Sequence, residues 1–173
     1  MTTQSLLHSL FRYKASADDE LLEALASASD RIDPERFASA LRVLHHAHIV
    51  DRIFAAHLQG IPHPYIASWI KEAPALADLS AAMKQTDQWY LDHLSTIDPT
   101  SLETMVDFTF TDGSKGRMSH EEMLGHVVTH SGYHRGDTGR LLPEIEETAM
   151  RDIFAGYLHR SEPQRRERIA LSA

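Results

Sequence analysis

Residues 119–143 read SHEEMLGHVVTHSGYHRGDTGRLLP, and the frame for the rest of the chain follows from them. Ser119 with Glu122 three positions on is a capping box, the reciprocal pairing that satisfies the first free amides of a helix. Pro143 cannot continue a helix, so the segment is a helix over 120–142. His126, His130 and His134 then recur one turn apart on one face. The outer two are separated by eight residues, about 12 Å of helical rise. Bonds from an imidazole nitrogen to a metal are only about 2.0–2.1 Å. One adjacent pair can therefore share an ion and the third histidine stands aside. His130 and His134 are the pair expected to bind, and His126 the bystander.

The remaining chain supplies partners for this helix. Residues 4–30 place Leu6, Leu7, Leu10, Phe11, Ala17, Leu21, Leu22 and Leu25 at helical spacing. Asp33-Pro34 opens a second helix over 34–59, because Asp33 caps it and Pro34 fits its first turn. Gly60 ends it, and Pro62 and Pro64 stop it resuming. Residues 61–74 read as loop. A third helix follows over 76–94 on Leu79, Met83, Trp89, Tyr90 and Leu94, and Asp98-Pro99 breaks it. In TMVDFTFTDGSKGRM, 104–118, Val106, Phe108 and Phe110 alternate with polar residues before Asp112-Gly113, which predicts a small hairpin. A short helix is expected over 148–159. The fold class is all-α: an antiparallel four-helix bundle with a short β-hairpin before the last long helix and a short C-terminal helix.

Bulk properties narrow the function. A chain of 173 residues suits one domain, expected over 1–160, with 161–173 as a polar, mobile tail. There is no cysteine, which excludes disulfides, thiolate metal sites and cysteine nucleophiles, so any metal is held by nitrogen and oxygen. A formal charge of −8 repels phosphate backbones and argues against nucleic-acid partners. The basic run Arg160 to Arg168 reads as a solvated tail. No apolar run approaches the ~20 residues of a membrane span. The opening MTTQSLLHSLFRYK reads as the start of a helix rather than a leader, so a cytoplasmic location is expected.

Two imidazoles make a poor site alone, and the second helix offers His45, His46, His48 and His57 as a third. His45 and His46 point about 100° apart. His46 shares a stripe with Val50, Ile53 and His57; His48 shares one with Leu44 and Asp51. Periodicity does not choose between His46 and His48.

The stretch HVVTHSGYHRGDTGRLL, 126–142, resembles the signature helix of the DinB-like (damage-inducible, YfiT-like) family, whose pattern here is N-H-x-x-x-H-R-G-Q. His130, His134, Arg135 and Gly136 match it; Thr129 and Asp137 depart from it. HHAHIVDRIFAAHLQG, 45–60, is similar to the family's second helix, where a histidine precedes an acidic residue by five positions, as His46 precedes Asp51. RYKASADDELLEAL, 12–25, resembles the first helix, with Ser16 where tryptophan is common. FTFTDGSKGRM and MRDIFAGYLHR also look like family segments, so the resemblance covers most of the chain. It implies a bundle binding one divalent transition metal per chain through His46, His130 and His134, with His48 as the fallback for His46; histidine nitrogen suits zinc, nickel, iron and copper alike, and zinc or nickel is the ion expected. It also implies a homodimer.

Three histidines leave coordination positions open, the mark of a reactive rather than a closed site. Water or an incoming thiol bound there is activated by loss of its proton. Some members of similar families are thiol-dependent transferases or isomerases. The resemblance therefore implies a metal-dependent enzyme acting on a small molecule, with thiol-dependent S-transfer ahead of hydrolysis. The alternative is a non-catalytic metal-binding dimer serving as a stress-response or sensor protein. Asp51 and Asp137 are candidates to orient the imidazoles or else plain surface charges, and Arg135 either steadies an anionic substrate or pairs with a surface carboxylate.

Overall fold

The computed structural model describes residues 2–145 and 151–164. Five α-helices and one hairpin lie among them: α1 (Thr3–Ala28), α2 (Pro34–Gln59), α3 (Leu76–Thr96), β1 (Met105–Thr109), β2 (Lys115–Ser119), α4 (His120–Leu141) and α5 (Phe154–Ser161). The caps read from the sequence are in place. Asp33 accepts from the amides of Glu35 and Arg36 at the start of α2. Gly60 ends it with φ 65°, the left-handed conformation that costs a residue without Cβ nothing. Ser119 and Glu122 form the capping box of α4.

The expected start of the last helix at 148 lies outside the described residues. Within them the helix begins later, at Phe154, because Ile153 is extended and occupies the cap position. Of the expected tail, 165–173 lies outside the described residues, and Ser161 still belongs to α5. The hairpin pairs Val106 with Met118 and Phe108 with Gly116. Phe108 packs into the core across from Gly116, where a Cβ would fall 2.5 Å from the Phe108 ring. Phe110, expected in the strand, lies one residue beyond it and is 45 % exposed.

Helix α1 packs against α3 and α4, and α2 against α4 and α3. Contacts fix the directions. Phe11 stacks on Tyr90 while Asp19 pairs with Lys84, so α1 and α3 are antiparallel. Asp51 meets Ser131 and Phe54 meets His126, so α2 and α4 are antiparallel too. His48 meets Thr86 and Asp51 meets Tyr90, which makes α2 and α3 parallel. A parallel neighbour demands a long return, and residues 60–75 make it by running back along α2. That return lays Ser68 and Trp69 beside the middle of α2.

The core has two apolar clusters separated by a polar layer. One holds Leu7, Phe11, Phe54, Tyr90, Phe108 and Val127; the other holds Leu21, Leu25, Leu44, Met83 and Leu142. Between them Lys14 is 1 % exposed and lies 2.8 Å from Asp18, 2.9 Å from Asp51 and 2.5 Å from Asp87. Arg135 extends the layer, 3.0 Å from Asp18 and 2.6 Å from Asp152. Buried charges survive only when paired and hydrogen-bonded. Burial lowers the Lys14 ammonium, but Asp18, Asp51 and Asp87 outweigh it and hold it well above its usual range. Burial raises Asp51 and pushes Asp87 up to about 7. Asp18 sits below its ordinary value because Lys14 and Arg135 together overcome its burial. No described helix is long and apolar enough to cross a membrane.

Candidate metal centre

The antiparallel contact of α2 with α4 brings His46, His130 and His134 together on the side of the bundle that the 60–75 return covers. Ring centres lie 5.1 Å apart for His46 and His130, 4.8 Å for His46 and His134, and 4.4 Å for His130 and His134. One nitrogen from each ring falls within 4.8 Å of the others. Nε2 of His130 and Nε2 of His134 are 3.2 Å apart. Convergent nitrogens at that separation are the arrangement a single transition-metal ion needs, with bonds of about 2.0–2.1 Å to each.

The surroundings prepare the rings for such a role. His46 Nδ1 lies 2.9 Å from the Ser68 carbonyl oxygen. A carbonyl only accepts, so Nδ1 carries the proton and Nε2 keeps a free lone pair. Asp137 Oδ2 stands 3.6 Å from His134 Nδ1 and biases that ring the same way. Burial pushes His130 down to about 3, and the neighbouring His134, His126 and His46 add to the effect. His134 is lowered too, by burial and by His46, against the pull of Asp137. Both are neutral near pH 7, the form that ligates. The α4 amphipathy does the positioning: His130 and His134 face the α2 groove while Ser131 and Arg135, one residue on in each case, turn inward to the polar layer.

Several expectations change. His48 does not meet the pair. Two residues along a helix is a rotation of about 200°, and the His48 ring points at α3, where its Nε2 lies 3.1 Å from Thr86 Oγ1. Thr86 spends its own proton on the Ala82 carbonyl, so His48 is the donor, and burial holds it down at about 4. Asp51 does not orient a ligand. It is committed to Lys14 and accepts a 3.2 Å hydrogen bond from Ser131. Arg135 does not face a substrate; it is 2 % exposed and bound to Asp18 and Asp152. Asp137 keeps its place beside His134. His126 stacks on His130 at 5.1 Å, packs against Phe54 at 4.7 Å, and stands outside the three-nitrogen group.

Sequence reasoning missed the polar layer and the return segment. Lys14 and Asp18 fall on the same stripe as Leu7, Phe11, Leu21 and Leu25, and Asp87 falls between Met83 and Tyr90. A charge at a core position of an apolar stripe was the available signal. Ser68 and Trp69 left none, because a loop has no period. Trp69 lies 5.7 Å from the His46 ring and walls an open trough of about 430 Å³ along 64–72, with Ile66 and Ile70 exposed beside it.

A family model described as the DinB family matches residues 1–161. No curated protein and no solved structure matches the chain.

Proposed function

This chain belongs to the DinB family, and on that footing we propose that it is a metal-dependent enzyme acting on a small molecule, with thiol-dependent S-transfer as its reaction and hydrolysis second. The observation that carries the reading is the three-nitrogen convergence of His46, His130 and His134, with the His46 tautomer set by the Ser68 carbonyl. These three side chains would hold one divalent ion per chain, zinc or nickel, since imidazole nitrogen suits both. Bound there, the ion supplies a Lewis acid with open positions, able to lower the pKa of a thiol or of water.

The chain's own residues define the rest of the reaction space. Ser68 and Asp137 orient rings. Trp69 flanks His46, and Tyr133, 68 % exposed, flanks His134 at 5.1 Å, so the approach is aromatic and apolar rather than cationic. Arg135 is spent in the layer behind. This favours a substrate whose electrophilic carbon carries apolar substituents. In the transfer the thiol gives up its proton, its sulfur bonds to that carbon, and the displaced group leaves with the electron pair of the broken bond and takes up a proton.

A panel of low-molecular-weight thiols with an electrophilic acceptor tests this in metal-loaded and chelator-stripped protein. Thiol consumption matched by thioether product is expected only in the loaded form. A loaded protein that consumes no thiol and hydrolyses nothing supports the alternative, a non-catalytic metal-binding sensor. The protein is further proposed to work in the cytoplasm as a homodimer. Light scattering is expected to give twice the 19.5 kDa chain mass, and a species of 19.5 kDa alone removes the dimer.

A further inference from the structure

Two more histidines meet at the far end of α2. His57 lies in the last turn of that helix, and His63 follows in the return segment between Pro62 and Pro64. Their ring centres are 5.3 Å apart at an interplanar angle of 76°. Two imidazoles sharing a tetrahedral ion at bonds of about 2.0–2.1 Å have ring centres about 5 Å apart. The three rings of the first site show separations of the same size.

Each ring also keeps a nitrogen that nothing in the protein satisfies. His57 Nε2 and His63 Nδ1 are both shut off from solvent without a hydrogen-bond partner. Buried polar atoms are normally paired, so two orphans on rings in edge-to-face contact call for an occupant. Phe54 and Phe108 pack against the His57 ring and keep it from turning toward water. The flanking prolines fix the backbone that carries His63. The α2 carbonyl end, where His57 sits, bears partial negative charge and favours a cation over an anion. A cleft of about 220 Å³ opens beside His63, lined also by Arg52, Gln59, Tyr65 and Trp89.

We propose that His57 and His63 form a second, weaker binding site for a divalent transition-metal ion, through His57 Nε2 and His63 Nδ1, independent of the site on His46, His130 and His134. Two protein ligands instead of three make this ion the exchangeable one. Burial and the neighbouring His63 hold His57 below its ordinary value, so that ring is neutral and ready to ligate near pH 7.

Calorimetric titration of the chelator-stripped full chain with zinc chloride tests the site. Wild-type protein is expected to bind in two resolved events of about one ion each. His63→Ala, which changes a loop residue outside every helix, is expected to weaken the second event at least tenfold and leave the first unchanged. His57→Ala is expected to do the same, with circular dichroism checking the end of α2. A His130→Ala/His134→Ala chain is expected to lose the tight event and keep the weak one. A single event in wild type, or a weak event that persists in His63→Ala, overturns the proposal.

Discussion

Replacing Lys14 with methionine is expected to destabilise the fold by about 3–5 kcal/mol, the range for stripping one partner from a buried ion network. Methionine matches the length of the lysine stem, so packing is roughly kept and charge is what changes. In the native layer four carboxylates, Asp18, Asp51, Asp87 and Asp152, face two cations, Lys14 and Arg135. Without Lys14 only Arg135 remains, and it touches neither Asp51 nor Asp87. Those two would be left as unpaired charges in an apolar setting or would take up protons.

The pH dependence separates this loss from a simple packing defect. Burial holds the Asp87 carboxyl at about 7 against an ordinary value of 3.8. A carboxyl raised in the folded state favours folding while it is protonated, and that contribution is lost as pH climbs from about 4 to about 7. Removing Lys14 raises the carboxyls further, so the deficit of Lys14→Met is expected to be larger at pH 8 than at pH 5. Urea unfolding of both proteins at the two pH values measures it. A deficit below about 1 kcal/mol, or one that does not change with pH, means the layer is not held by charge.

His130→Ala and His134→Ala are each expected to cost at least ~100-fold in affinity for the tightly held ion, since losing a ligand exceeds the 10–100-fold typical of losing a ligand's orienting partner. His46→Ala is expected to do the same, and His48→Ala and His126→Ala to leave the affinity within a few-fold of wild type. The contrast follows from placement. His126 is one turn from His130 and in ring contact with it, yet it also packs against Phe54 and stands outside the three-nitrogen group. His48 is two residues from His46 but is turned to Thr86. Elemental analysis after exhaustive dialysis reads the result directly. Retention of a full ion by His134→Ala would show that the nitrogens converge without binding.

Much of this was legible in the sequence because it depends on local rules. The capping box at Ser119, the Asp33-Pro34 start and the Gly60 stop each involve residues a few positions apart. The His130–His134 pairing is a property of one helix. The choice between His46 and His48 was not legible in periodicity, and it was the family pattern, a histidine five positions before Asp51, that pointed to His46. Both lie on stripes containing apolar residues, and the rotation of α2 about its own axis is set by what packs on it from α3 and α4. The roles of Asp51 and Arg135 stayed open between ligand support and plain charge pairing for a related reason. Each stands close in sequence to a ligand, and on a helix a step of one or five residues turns a side chain well away from it.

The sequence by itself determined the elements, their caps, the all-nitrogen-and-oxygen character of any metal site and the two histidines that α4 presents together. The tertiary structure put the family-implied His46 against that pair, and it alone decided that the return along 60–75 places the Ser68 carbonyl on its ring and that Lys14 gathers Asp18, Asp51 and Asp87 into one layer. Periodicity fixes which side chains share a face of one helix. Which faces meet is fixed by the packing of several helices at once, and by a connecting segment whose path obeys no period.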